Sequence, residues 1–172
     1  MSDVYARHGR AQSTGAGFPV LAALSAVVVI ALIVAGLLYY SGSSARISGD
    51  YTAVAAPADQ ALTAEVAGYT RNQRDHLAAA ESDLKKEAKT EASFDDQLDE
   101  ITFPGVADTA ADALIRADAK RIKLIGLQAG STSLRQLRSF ASADQTTTAA
   151  VEVQVGLIRQ ALGLPPSSGG GF

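Results

Sequence analysis

The sequence predicts an all-α protein, a single N-terminal transmembrane helix followed by an antiparallel up-down-up-down four-helix bundle. Three observations carry that reading. Residues 18–40 hold no charged side chain. Beyond them, apolar residues recur at steps of three and four, the spacing of one helix face, and period-two alternation is absent. Turn signals (Thr102-Phe103-Pro104-Gly105, Gly130, Gly163-Leu164-Pro165-Pro166) cut the remainder into segments of roughly helical-bundle length.

The run at 18–40, FPVLAALSAVVVIALIVAGLLYY, is 23 residues long. At about 1.5 Å per residue it spans roughly 34 Å, enough for a hydrocarbon core of ~30 Å. Tyr39 and Tyr40 close it with rings suited to the interface. The competing reading is a cleavable signal peptide, with Ser43-Ser44-Ala45 offering a site after Ala45 and the remainder secreted. The run exceeds the ~7–15 apolar residues of a signal peptide, which favours a retained anchor in the cell membrane. Arg7 and Arg10 precede it and only Arg46 follows closely. The positive-inside rule therefore puts residues 1–17 in the cytoplasm, as a short tail, and the rest outside.

After a Ser/Gly-rich joint at 41–50, an exported bundle is expected over 51–166. Its first helix runs from about 51 to 70, with Asp50 as cap, Pro57 inside, and a stripe of Val54, Ala58, Leu62, Val66 and Tyr69. The second covers about 74–101, with Leu77, Ala80, Leu84, Ala88, Phe94, Leu98 and Ile101. The third covers about 106–129, with Ala107, Ala111, Leu114, Asp118, Ile122, Ile125 and Ala129. A short helix is expected within 133–140, packed across the end. The fourth long helix, about 145–162, is capped by Asp144 and carries Val151, Val155, Ile158 and Leu162. Gly163, the apolar Leu164 and two prolines predict a Schellman-type stop. The Ser/Gly-rich residues 167–172 are expected to form a disordered tail.

Several residue groups here form a recurring pattern: Ile101-Thr102-Phe103-Pro104, Ala113-Leu114-Ile115-Arg116-Ala117-Asp118, Ser131-Thr132-Ser133-Leu134, and Val155 to Pro166 with Ile158-Arg159 and Leu162-Gly163-Leu164-Pro165-Pro166. They resemble a loose group of uncharacterised exported and lipoprotein-type helical-bundle proteins of actinobacteria. The resemblance covers roughly 51–166 and implies a helical fold. It supplies no catalytic residues. It departs at the N-terminus, where many of those proteins use a lipidated cysteine and this chain has an apolar run.

Composition removes most chemistry. The chain has no cysteine, so disulfides, thiol catalysis and cysteine metal sites are out. A net charge of −3 gives no field suited to nucleic acid. A di-iron bundle needs Glu-x-x-His pairs on two helices, but 51–166 holds one histidine, His76, preceded three residues earlier by Gln73. His76 reads as a solvent-facing residue near a helix start. No Gly-x-Ser-x-Gly elbow or phosphate-binding glycine loop is present. The expectation is therefore a non-enzyme without catalytic, metal or cofactor-binding residues. Asp118, alone among the acids, falls on an apolar stripe, and the preferred reading puts it at the stripe's edge in solvent.

Folding the charges onto an up-down-up-down bundle separates them. The half away from the membrane sums to +2 and the near half to −7. Lys85, Lys86, Lys89, Lys120, Arg121 and Lys123 come level with one another as a candidate basic binding patch. The expected partners are the membrane, through 18–40, and an anionic cell-wall polymer or an acidic protein met by that patch. The leading function is thus an extracytoplasmic binding or envelope-interaction module. The alternative is a small-molecule-binding or sensory bundle at the cell surface.

Overall fold

Helix propensity and three-four spacing are realised as five helices among the described residues of a computed structural model. The residues described are 19–166, with side chains described from residue 43 onward. They run α1 (Pro19–Asn72), α2 (Leu77–Asp99), α3 (Gly105–Ala129), α4 (Leu134–Arg138) and α5 (Ala141–Ala161). The fold is all-α, and no strand occurs among the described residues. The chain divides into two units, Met1–Ser41 and Gly42–Phe172, and the second holds α2 to α5 with the C-terminal part of α1. The expected membrane span at 18–40 lies outside the residues whose side chains are described, as do the tails at 1–17 and 167–172. Among the described residues no helix is long and apolar enough to cross a membrane.

The expected joint at 41–50 is helical throughout its described residues and belongs to α1. Its serines do not break the helix, because the Ser48 hydroxyl lies within 2.8 Å of the Ser44 carbonyl and 3.0 Å of the Leu162 carbonyl at the end of α5. Ile47 packs on the core beside them. Asp50 accordingly caps nothing and forms an exposed pair with Arg46 four residues back.

Neighbouring helices run antiparallel. Thr90 donates to Glu65 and Asn72 to Asp83, so α1 and α2 pass in opposite senses. Gly68 permits their close approach, since a Cβ there would lie 2.9 Å from Asp83 Oδ2. The turn at Thr102–Pro104 reverses the chain into α3, and Gly105 opens that helix at φ +50°, a left-handed value suited to glycine. α3 ends at Gly130 as expected. Ser133 caps α4 by accepting from the Gln136 N–H. α5 begins at Ala141, four residues before the sequence expectation, so Asp144 sits in its first turn and is not its cap. A complete Schellman motif ends α5: Leu164 N–H donates to Arg159 O and Gly163 N–H to Gln160 O, with Gly163 at φ +68°.

The apolar interior falls into two clusters. One gathers Tyr51, Ala55, Ala58 and Leu62 of α1 with Phe94, Leu98, Leu114, Val151, Val155 and Ile158. Tyr51 meets Phe103 edge-on, ring centroids 6.3 Å apart. The other gathers Ala80, Leu84, Ile125, Ala129 and Leu137, the last from α4. The expected core face of α5 is buried at all four positions. Val66, expected on the stripe of the first helix, is 42% exposed, because the face turns through Tyr51, Ala55, Ala58 and Leu62 and passes Glu65 instead.

Candidate functional site

Between the two apolar clusters lies a layer of polar side chains, and the heptad rhythm puts them there. On α2 the inward positions are Ala80, Leu84, Glu87, Glu91, Phe94 and Leu98, spaced four and three alternately. On α3 they are Ala107, Ala111, Leu114, Asp118, Arg121, Ile125 and Gln128, in the same rhythm. Extending the α5 stripe backward from Val151 reaches Thr148 and Asp144. On all these helices the geometric period continues while the chemistry changes from apolar to charged. The stripes expected from hydrophobicity step around the charges, through Ala88 and Ile122, and both are only half-buried.

Arg121 is the centre of the layer and is only 7% exposed. Its Nη2 donates to Glu87 Oε1 at 2.5 Å, its Nη1 pairs with Glu91 Oε1, and its Nε donates to Thr148 Oγ1 at 3.2 Å. One guanidinium thus ties α3 to both α2 and α5. Its planar fork suits several fixed acceptors at once, which an ammonium would not. The Glu87 carboxyl is still held above its ordinary range, because burial outweighs the attraction of Arg121, and nearby Asp144 and Glu65 add repulsion. Burial also raises Asp144, partly countered by Arg121. Tyr69, at the border with the second apolar cluster, is raised first by burial and then by Asp144 and Glu87.

Asp118 is 0% exposed, which corrects the expectation of a solvated residue. It stands one step of the stripe from Arg121, but Glu87 and Glu91 take up the guanidinium. Its neighbour is another acid, Asp95 of α2. Burial first, then the Asp95 charge, and then a hydrogen bond to Asp95 push the Asp118 carboxyl up to about 9. Asp95 is raised to about 6 by burial, eased by the bond from Asp118. One proton shared by the pair would let two acids occupy a low-dielectric position that two anions would not.

Of the six bases expected to form one patch, Lys85, Lys86, Lys89, Lys120 and Lys123 are exposed. Arg121 is not among them: it is inside, neutralising two glutamates. Lys86 is paired with Asp83 at 3.3 Å and, with Lys89, lines an open groove of about 450 Å³ between α1 and α2. Glu65 and Thr90 stand at the same end of that groove. Val54, Pro57, Ala58 and Phe94 supply its apolar part. His76 is exposed and precedes α2 without a side-chain cap bond. Among the described residues, no group of three or more His, Asp or Glu side chains is arranged to hold a metal ion.

Set against known proteins, the chain matches no family model, no curated protein and no solved structure.

Proposed function

We propose that the chain is a single-pass membrane protein that displays a helical binding module outside the cytoplasm. In this reading 18–40 is the anchor, 1–17 is cytoplasmic, and 51–166 is an up-down-up-down four-helix bundle acting by binding and not by catalysis. The binding reading rests chiefly on the Arg121 bridge to Glu87 and Glu91, which brings the neighbouring stretches of α2 and α3 level. Lys85, Lys86 and Lys89 are exposed on one stretch, and Lys120 and Lys123 on the other. Lys86 is paired with Asp83, whereas Lys85, Lys89, Lys120 and Lys123 form no ion pair among the described residues, which leaves their ammonium groups to an anionic wall polymer.

The test is sedimentation of the full-length chain with anionic cell-wall polymer across a salt series. Binding at low salt should weaken steeply as the Debye length falls toward ~8 Å. Reversing Lys120 and Lys123 to Glu should remove it, while reversing the exposed Asp96 and Asp99 to Lys should not. No low-salt binding, or equal loss from both pairs, would overturn the proposal. Protease added to intact spheroplasts tests the topology independently, since protection of the C-terminal part would reverse it.

A second reading, a small-molecule-binding bundle, is favoured by one observation: the groove between α1 and α2 has charges at one end and apolar side chains at the other.

A further inference from the structure

The groove's chemistry is graded along its length. Because Thr90 donates to Glu65 at 3.0 Å in an antiparallel pair, residues before Glu65 on α1 lie level with residues after Thr90 on α2. Glu65, Thr90, Lys86 and Lys89 therefore share one end. Val54, Pro57 and Ala58 lie toward the other, with Phe94 between and Ser93 and Gln97 on the α2 wall. Both signs of charge are offered within about one helical turn. Lys89 has no ion-pair partner among the described residues, whereas Lys86 shares its charge with Asp83. The Glu65 carboxylate accepts one hydrogen bond through Oε1, and its buried Oε2 has none. Proline at position 57 contributes a rigid apolar ring to the lining without an N–H that would demand a partner. The volume falls within the ~300–1,000 Å³ typical of small-ligand sites.

We propose that this groove binds a compact zwitterion with an apolar body, an amino-acid-like molecule. Its carboxylate meets Lys89 and Lys86, its ammonium meets Glu65, and its side chain lies toward Val54, Pro57 and Ala58. A simple anion would be repelled by Glu65 and a simple cation by the two lysines. A molecule carrying both charges on one carbon satisfies both walls. This inference rests on the small-molecule reading; it shares Lys86 and Lys89 with the wall-polymer reading but needs neither Lys120 and Lys123 nor the anchor.

The experiment titrates the full-length chain in lipid nanodiscs with L-phenylalanine, followed by amide NMR shifts at Thr90 and Ser93. Saturable shifts are expected. Phenethylamine, which lacks the carboxylate, and hydrocinnamate, which lacks the ammonium, should each bind about tenfold or more weakly, as befits a site left with an unpaired charge. Glu65→Gln should remove the preference for phenylalanine over hydrocinnamate. Ser93→Trp fills the groove from an exposed position, so it should block binding without shifting thermal unfolding. No saturable shift, equal binding of either analogue, or unchanged binding in Ser93→Trp would overturn the proposal. Glu65→Gln and Ser93→Trp leave Lys120 and Lys123 untouched, so loss of amino-acid binding with polymer binding intact would localise the effect to the groove.

Discussion

Arg121 of α3 and Glu87 of α2 meet at 2.5 Å in the interior, both almost fully removed from solvent. Glu91 shares the same guanidinium. Removing one partner of such a group leaves uncompensated charge in a low dielectric, which costs more than the intact group contributes. Arg121→Met should therefore destabilise the chain by about 3–5 kcal/mol. Replacing Glu87, Glu91 and Arg121 together by Leu should be neutral or stabilising by about 1–4 kcal/mol. Chemical denaturation of the single and triple variants measures both. A triple variant as unstable as Arg121→Met would mean that the ionic layer supplies net stability of its own.

The helical class, the Pro104-Gly105 turn, the Schellman stop and the core face of α5 were readable because each is a local signal. Val151, Val155, Ile158 and Leu162 are apolar and correctly spaced, so chemistry and geometry agree there. The polar layer was not readable from hydrophobicity, because hydrophobicity alone discards a charged residue at an inward position. Glu87 and Glu91 continue the rhythm of Ala80 and Leu84 toward Phe94 and Leu98, and following the spacing through the charges would have found them. Asp118 was located on its stripe, but its partner Asp95 comes from another helix, and pairing across helices leaves no trace in local sequence. The segment 41–50 reads as a joint by composition. Its helicity follows from Ile47 reaching the core and from the hydrogen bond between Ser48 and the end of α5, both tertiary effects.

The core face of α5 yields a direct comparison. Ile158 is fully buried, whereas Val153 on the same helix is 59% exposed. Ile158→Ala should cost about 2–5 kcal/mol, the range for deleting buried methyl groups. Val153→Ala should change stability by less than about 0.5 kcal/mol. Urea midpoints of the two variants decide it, and similar losses would mean that α5 is rotated from the face described.

Two glycines, one inside α5 and one just past its end, should respond in opposite directions. Gly163 holds φ +68°, so Gly163→Ala forces a side chain into the left-handed region and should cost about 1–2 kcal/mol. Gly156 lies within α5, and a Cβ there would meet nothing within 4 Å. Gly156→Ala should stabilise by about 0.5–1 kcal/mol through the entropy of the unfolded chain and helix propensity. Thermal unfolding of the pair gives the two signs, and matching signs would contradict the helix end as described.

The acid pair at Asp95 and Asp118 makes stability depend on pH in a direction set by its neighbours. The groups facing the layer are Glu65 and Tyr69 from α1, Glu87, Glu91 and Asp95 from α2, Asp118 and Arg121 from α3, and Asp144 from α5. Asp118, Asp95, Glu87 and Asp144 are all raised, so the folded chain holds protons that the unfolded chain has released. The unfolded state then binds fewer protons, and stability falls as pH rises. The contribution is fully present below the ordinary carboxylate range and is lost as pH climbs through the folded values, about 6 for Asp95 and about 9 for Asp118. Each titrating group gives a slope of at most ~1.4 kcal/mol per pH unit. Above pH ~6 the fall should come chiefly from Asp118. Asp118→Asn keeps a donor for the Asp95 carboxylate and removes the titration, so it should flatten the curve between pH ~6 and ~9 and be more stable than the parent at pH ~8. Stability measured by urea unfolding across this range checks both statements. A parent curve that rises toward pH ~8, or an Asp118→Asn curve as steep as the parent's, would show that the pair does not share a proton in the folded chain.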